Sequence, residues 1–145
     1  MSEGRASSIR TFSSMCTSSA DSRKQARALA LYREHAQESR MLLSTQVVQE
    51  FIVAAVRKLQ LPPQQVREVA LTMLDSPLVV IEAPHIRAAL DKAYQYKISF
   101  WDALILAAAE AGNAEVLYTE DLNDGQQYGA VLVRNPFRAA NPDTN

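Results

Sequence analysis

Short apolar runs take turns with longer helix-forming stretches along this chain, and their order leaves few folds open. RMLLS (40–44) leads into QVVQEFIVAAVRKL, SPLVVIEA (76–83) follows PPQQVREVALTML, and AEVLYT (114–119) follows ISFWDALILAAAEAG. Runs that are apolar at successive positions, not at alternate ones, suit strands covered on both faces. Strands separated by helices imply right-handed crossovers around a mostly parallel sheet. The expected fold class is therefore α/β, with helices on both faces of the sheet. Such sheets carry their chemistry just beyond the carboxyl ends of the strands, so function is to be sought there.

The helices have readable ends. SRKQARALALYREHAQESR (22–40) predicts a first helix, with Ala26, Leu29, Ala30 and Arg33 on one face. Ser44 or Thr45 caps the next one, whose apolar face is Val47, Val48, Phe51, Ile52, Ala55 and Leu59. Pro62 and Pro63 open another, a further helix runs from Pro84 to about Lys97, and Ser99 and Gly112 bound the last. AVLVR adds a final short strand. The polar ends, MSEGRASS (1–8) and AANPDTN (139–145), are expected to be disordered tails around one domain over residues 9–138.

Composition excludes more than it assigns. At 145 residues the chain has the length of one domain, and 15 Lys and Arg against 16 Asp and Glu leave a net charge of -1, so bulk charge does not advertise nucleic acid. The single Cys16 cannot form an internal disulfide and has no nearby His to make it a nucleophile. His35 and His85 lack partners at metal-ligand spacing, and no Gly-rich phosphate loop is present. No apolar run reaches membrane-spanning length, and the expected location is the cytoplasm.

The acids carry the chemical signal. Asp102 sits in SFWDALILAAA, where Ile105, Leu106 and Ala109 make the helix apolar nearly all round. A capping box with Ser99 accounts for it as well as a cation site does, because a carboxylate in the first turn suits the helix dipole. Asp121 follows the strand EVLYT, though YTEDLNDGQ is also what a plain turn prefers. Glu50 borders an apolar face and alone reads as a solvated glutamate. Together, each lies early in a helix or just after a strand, where a parallel sheet can bring them to one edge. Clustered carboxylates raise each other's pKa unless a cation neutralises them, and Mg²⁺ or Mn²⁺ held by oxygens can activate water against a phosphodiester. Tyr94, Tyr96, Phe100 and Trp101 read most simply as core or helix-edge aromatics, with RNA stacking as the alternative.

STQVVQEF, SFWDALILAAA and LYTEDLNDGQ, in this order and separation, resemble the PIN-domain family and in particular the VapC-like toxins of bacterial toxin-antitoxin pairs. The resemblance runs from about Ile9 to Phe137. It implies a PIN-like three-layer α/β/α sandwich and a ribonuclease dependent on Mg²⁺ or Mn²⁺. Glu50, Asp102 and Asp121 match the family's metal-holding acids, Asp124 is a further candidate ligand, and Thr119 and Asn123 match supporting polar positions. The resemblance also implies an RNA substrate, a cognate antitoxin and a homodimer.

One stretch departs from the family. Where its first strand ends in an apolar residue, an Asp and a Thr-Asn pair, this chain continues from Phe12 into Ser13, Ser14, Met15 and Cys16. Ser14 stands where the first aspartate belongs, and a hydroxyl brings neither the charge nor the hard-anion ligand. Either the first acid has been lost, or residues 13–19 are a locally shifted reading frame. With suitable serine codons, SSMCTSS read one nucleotide earlier gives V-D-V-Y-V-F. Two functions follow: a toxin-type ribonuclease impaired at its first acid, or a non-catalytic PIN-like protein that binds an antitoxin or RNA. A receiver-like signalling domain fits less well, since its lysine and threonine constellation is not apparent.

Overall fold

The computed structural model describes residues 9–12 and 41–135. The expected helix at 22–40, both tails, Ser14, Cys16 and His35 lie outside the described residues. The first strand, β1 (Ile9–Phe12), is followed by β2 (Met41–Ser44), α1 (Thr45–Arg57), α2 (Pro63–Leu74), β3 (Leu78–Val79), α3 (Ala83–Tyr96), α4 (Phe100–Ala111), β4 (Ala114–Tyr118), β5 (Gln127–Tyr128) and β6 (Val131–Arg134). One six-stranded sheet has the order β3-β2-β1-β4-β6-β5. All its pairings are parallel except that of β5 with β6. The fold is thus the α/β arrangement expected from the alternation of runs.

Burial along β2 shows why the sheet has helices on both sides. Met41 to Ser44 are all buried, and their side chains divide by the two-residue period of a strand. Met41 and Leu43 join Val47, Val48, Phe51 and Ala55 of α1 and Val66, Ala70 and Met73 of α2 in one core. Leu42 points the other way, to Ile105, Leu106 and Ala109 of α4 with Leu117, Val131 and Val133 of the sheet. A third, small-residue cluster of Ala89, Ala103, Leu104 and Ala107 lets α3 lie close along α4. Lys92 Nζ and Glu110 Oε1, 2.7 Å apart, tie the same two helices.

One expectation is corrected, and another is borne out with a different geometry. SPLVVIEA is not a long strand buried on both faces: only Leu78 and Val79 pair, half-buried, and Val80 is exposed. The reason is position, because β3 is the edge of the sheet and pairs only with β2. Gly112 does end α4, but with φ -89 it is not the left-handed residue; Asn113, at φ 59, is. Glycine is needed at 112 because a Cβ there would run into Leu42 Cδ2 and press on Val79. Among the described residues no helix is long and apolar enough to cross a membrane.

Candidate functional site

The strand order reverses at β1: the chain moves outward through β2 and β3 on one side and returns through β4 and β6 on the other. Such a switch point opens a crevice beyond the carboxyl ends of the strands. Three elements deliver acids to this edge of the sheet. α1 leaves β2 at Ser44, whose Oγ accepts from Val47 N at 3.3 Å, and carries Glu50 in its second turn. α4 starts at the same edge, with Ser99 Oγ accepting from Asp102 N at 3.0 Å. Beyond β4, the buried Thr119 accepts from Asp121 N through Oγ1 at 3.1 Å and fixes the start of the turn.

The cleft has a volume of about 630 Å³, and Gln46, Glu50, Arg57, Lys58, Trp101 and Asp121 are among its lining residues. Acids stand at one end and α1's basic C-terminal residues at the other. Partial burial raises the Glu50 carboxyl above its ordinary value, opposed by a hydrogen bond from Gln46 and reinforced by the charges of Asp121 and Asp102. Asp121 is raised by partial burial and then by Asp102 and Glu120. Asp102 is raised by burial, against the bond from its capping serine. Each acid of the trio therefore either feels or supplies the field of another, as expected of carboxylates gathered at one edge.

Asp124 behaves differently. Its Oδ1 accepts from Asn135 N at 2.7 Å, which serves the loop between β4 and β6; like Asp102, it is not among the residues that line the cleft, which takes only Glu50 and Asp121 of the predicted acids. Asn123 Nδ2 donates to Gln126 Oε1 at 2.7 Å in the same loop, so it shapes the turn. His85, expected to decorate a helix surface, accepts from Glu82 N through Nδ1 at 2.8 Å at the start of α3.

An aromatic that the sequence reads as core or helix-edge, with RNA stacking as the alternative, and a glutamine that it leaves unremarked both belong to the cleft. Trp101 is 62% exposed and lines it, so it is no core aromatic, whereas Tyr96 and Phe100 are half-buried. Its position one residue before Asp102, at the end of a helix otherwise buried through Ala109, is the signal that could have marked it. Gln46 is only 5% exposed, and its Nε2 donates to Glu50 Oε2 at 3.2 Å and to the Trp101 carbonyl at 3.3 Å. It stands four residues before Glu50, the helical spacing at which such a bond forms.

Among the described residues, no three acidic, histidine or cysteine side chains converge closely enough to hold a metal ion. In kind, however, the donors suit a hard divalent cation. They are oxygens, the charge of Asp102 raises both Glu50 and Asp121, and beside them the buried Gln46 Oε1 has no hydrogen-bond partner.

The family model of the PIN domain matches residues 14–124 of the chain. Among solved structures, a chain described as "Toxin-antitoxin complex from Klebsiella pneumoniae" is similar at 18% identity and a TM-score of 0.59, over 89% of this chain and 98% of that one. At that identity the likeness concerns the fold. No curated protein gives a significant match.

Proposed function

The chain belongs to the PIN-domain family, and on that premise we propose that it is a metal-dependent ribonuclease of the toxin type, slowed by Ser14 at the position of the first acid. The observation that carries this reading is the placing of Glu50 and Asp121 together on an open cleft, with Asp102 near enough for its charge to act on both. In it, Glu50, Asp102 and Asp121 would hold Mg²⁺ or Mn²⁺, with Asp124 the weaker candidate because its carboxylate is engaged by Asn135 N. The ion, when bound, supplies an activated water and offsets charge on a phosphodiester. The chain's own contribution is to orient the strand. Trp101 offers a face on which an unpaired base stacks, and Arg57 attracts backbone phosphates from the far end of the cleft.

Partners follow the same reading. A cognate antitoxin would occupy the cleft, and a second copy would cover the exposed stripe Ile86, Leu90 and Tyr94 on α3. The competing reading, a PIN-like protein that binds without cutting, is favoured by Ser14 alone.

Mn²⁺-dependent cleavage of an RNA pool separates the two, run on the chain beside Asp102→Asn and Ser14→Asp. Under the enzyme reading the chain cuts and Asp102→Asn loses more than the roughly 10–100-fold expected for a merely supporting residue. Cleavage by Ser14→Asp only would make the native chain a binding protein on a ribonuclease scaffold. If neither cuts, the ribonuclease reading fails.

A further inference from the structure

The hairpin of β5 and β6 sets Gln127 opposite Leu132 and Tyr128 opposite Val131. One step further out, in the same register, Val133 N donates to the Gln126 carbonyl at 3.0 Å. An antiparallel ladder bonds every second residue to the one it faces, so Asn135 is next in line for an acceptor, and the register sets Asp124 opposite it. That acceptor is a side chain. Asn135 N donates to Asp124 Oδ1 at 2.7 Å, at the short end for an N–H···O bond. The carboxylate thus completes the ladder after the main chain has left it. Gln126 N has already turned to the Asn123 carbonyl at 3.2 Å, and Gly125 N bonds the Val133 carbonyl at 2.8 Å. The outgoing limb of the same loop is tied to the same strand end, with Thr119 N on the Arg134 carbonyl at 3.1 Å. Residues 119–125 therefore form an arc that both leaves and rejoins the end of β6, and Asp121 is carried on it. Thr119 Oγ1 fixes the outgoing limb by accepting from Asp121 N, and Asp124 fixes the returning one.

We propose that Asp124 is a positioning residue for Asp121 and acts through the acceptor oxygen of its carboxylate, not through its charge: it clamps the returning limb of the loop to the end of β6 and so sets where Asp121 meets the cleft. The proposal rests on the reading of Asp121 as a site residue and goes beyond it, since it replaces the weaker ligand role of Asp124 with a task in shaping the loop. The two roles differ chemically. A carboxylate that holds a hard cation contributes its negative charge as well as its oxygen, whereas a clamp needs an acceptor alone, which the oxygen of an amide also supplies. Asparagine at this position therefore keeps the clamp and loses the charge, and alanine loses both.

The test compares Asp124→Asn and Asp124→Ala in the full chain by nuclear magnetic resonance of the backbone amides, by amide hydrogen exchange, and by Mn²⁺-dependent cleavage of the RNA pool. Expected in Asp124→Ala is exchange about tenfold faster at Asn135, together with a displaced Asp121 amide resonance and slower cleavage. Asp124→Asn should keep the Asn135 amide protected and the Asp121 resonance close to its native position, and should cut faster than Asp124→Ala. An Asp121 resonance that Asp124→Ala leaves unmoved overturns the proposal, and so does an Asp124→Asn that matches Asp124→Ala at these amides. Cleavage lost equally in both variants while Asp124→Asn keeps its amides native overturns it too, and returns Asp124 to the cation ligands. Should Asp124→Ala not fold, Asp124→Asn decides alone through the Asn135 amide, which stays protected if the clamp is an acceptor and loses protection if it is not. The premises fail separately. If neither the native chain nor Ser14→Asp cuts RNA, the ribonuclease reading falls and the amides still decide the clamp. If the chain cuts and the amides do not respond, only the role of Asp124 is wrong.

Discussion

Helices α1 and α4 both begin at a serine cap and both bring an acid to the same edge of the sheet, yet they are held in opposite ways. α4 is buried without a break from Ala103 to Ala109, between the sheet and α3. α1 buries one side only and leaves Ile52, Val53 and Val56 exposed. Asp102 lies in the first turn of α4, where the cap itself holds its backbone. Glu50 lies a turn deeper in α1, out of the cap's reach, and depends on the side chain of Gln46. Position by burial is spread over many contacts, whereas position by a polar link rests on one residue.

The largest effect should come from emptying part of the buried helix. Leu106→Ala removes a side chain that is 1% exposed, and a loss of about 2–5 kcal/mol is expected by urea denaturation. A loss well below that would mean α4 can settle into the space, and the contrast with α1 would break. The caps sharpen it. Ser99→Ala and Ser44→Ala should each cost about 1 kcal/mol, but only Ser99→Ala should also weaken Mn²⁺ binding, since only its helix carries the acid in the capped turn. Equal loss of Mn²⁺ affinity in both would erase the distinction.

The smallest effect is on pH. Burial holds the three carboxyls above their ordinary values in the folded chain, with neighbouring charges adding to it at Glu50 and Asp121, so the folded state takes up protons before the unfolded state does. The sign is the reverse of that for a salt-bridged acid. Without metal, this part of the stability is lowest near neutrality, rises as pH falls through the raised values, and is complete below the unfolded values. Relative to a Glu50→Gln, Asp102→Asn, Asp121→Asn variant, the metal-free chain should therefore gain melting temperature on acidification. The gain is small because Glu50 and Asp121 keep an exposed side. With saturating Mn²⁺ the trend should invert, as protons displace the ion. A metal-free chain that loses melting temperature against the variant on acidification would contradict the raised values.

What could be read from the sequence was what repeats. Alternating runs, serine caps and proline starts made the sheet and its helices legible, because each is a local signal with its own physics. The acids were legible as types in a pattern, and Glu50, Asp102 and Asp121 do share one edge. The rest depended on neighbours distant in sequence. That LVV would shrink to two paired residues follows from its place at the sheet edge, which no local pattern states. Gly112 looked like a helix stop and is a point of close approach to Leu42 and Val79. Gln46 looked like any helical glutamine, and its significance appears only when the Trp101 carbonyl, from another helix, arrives beside it.

The central position of β1 has a consequence in time. Its neighbours in the sheet are β2 on one side and β4 on the other, with Phe12 opposite Tyr118, so the first described strand must wait for β4, far along the chain, before the sheet can close. Pairings so distant along the chain fold slowly, because a long loop has to be closed before any contact offsets its entropy. Asp121 arrives three residues after that strand ends. A ribosome making this chain therefore releases most of the described residues before all three acids can meet.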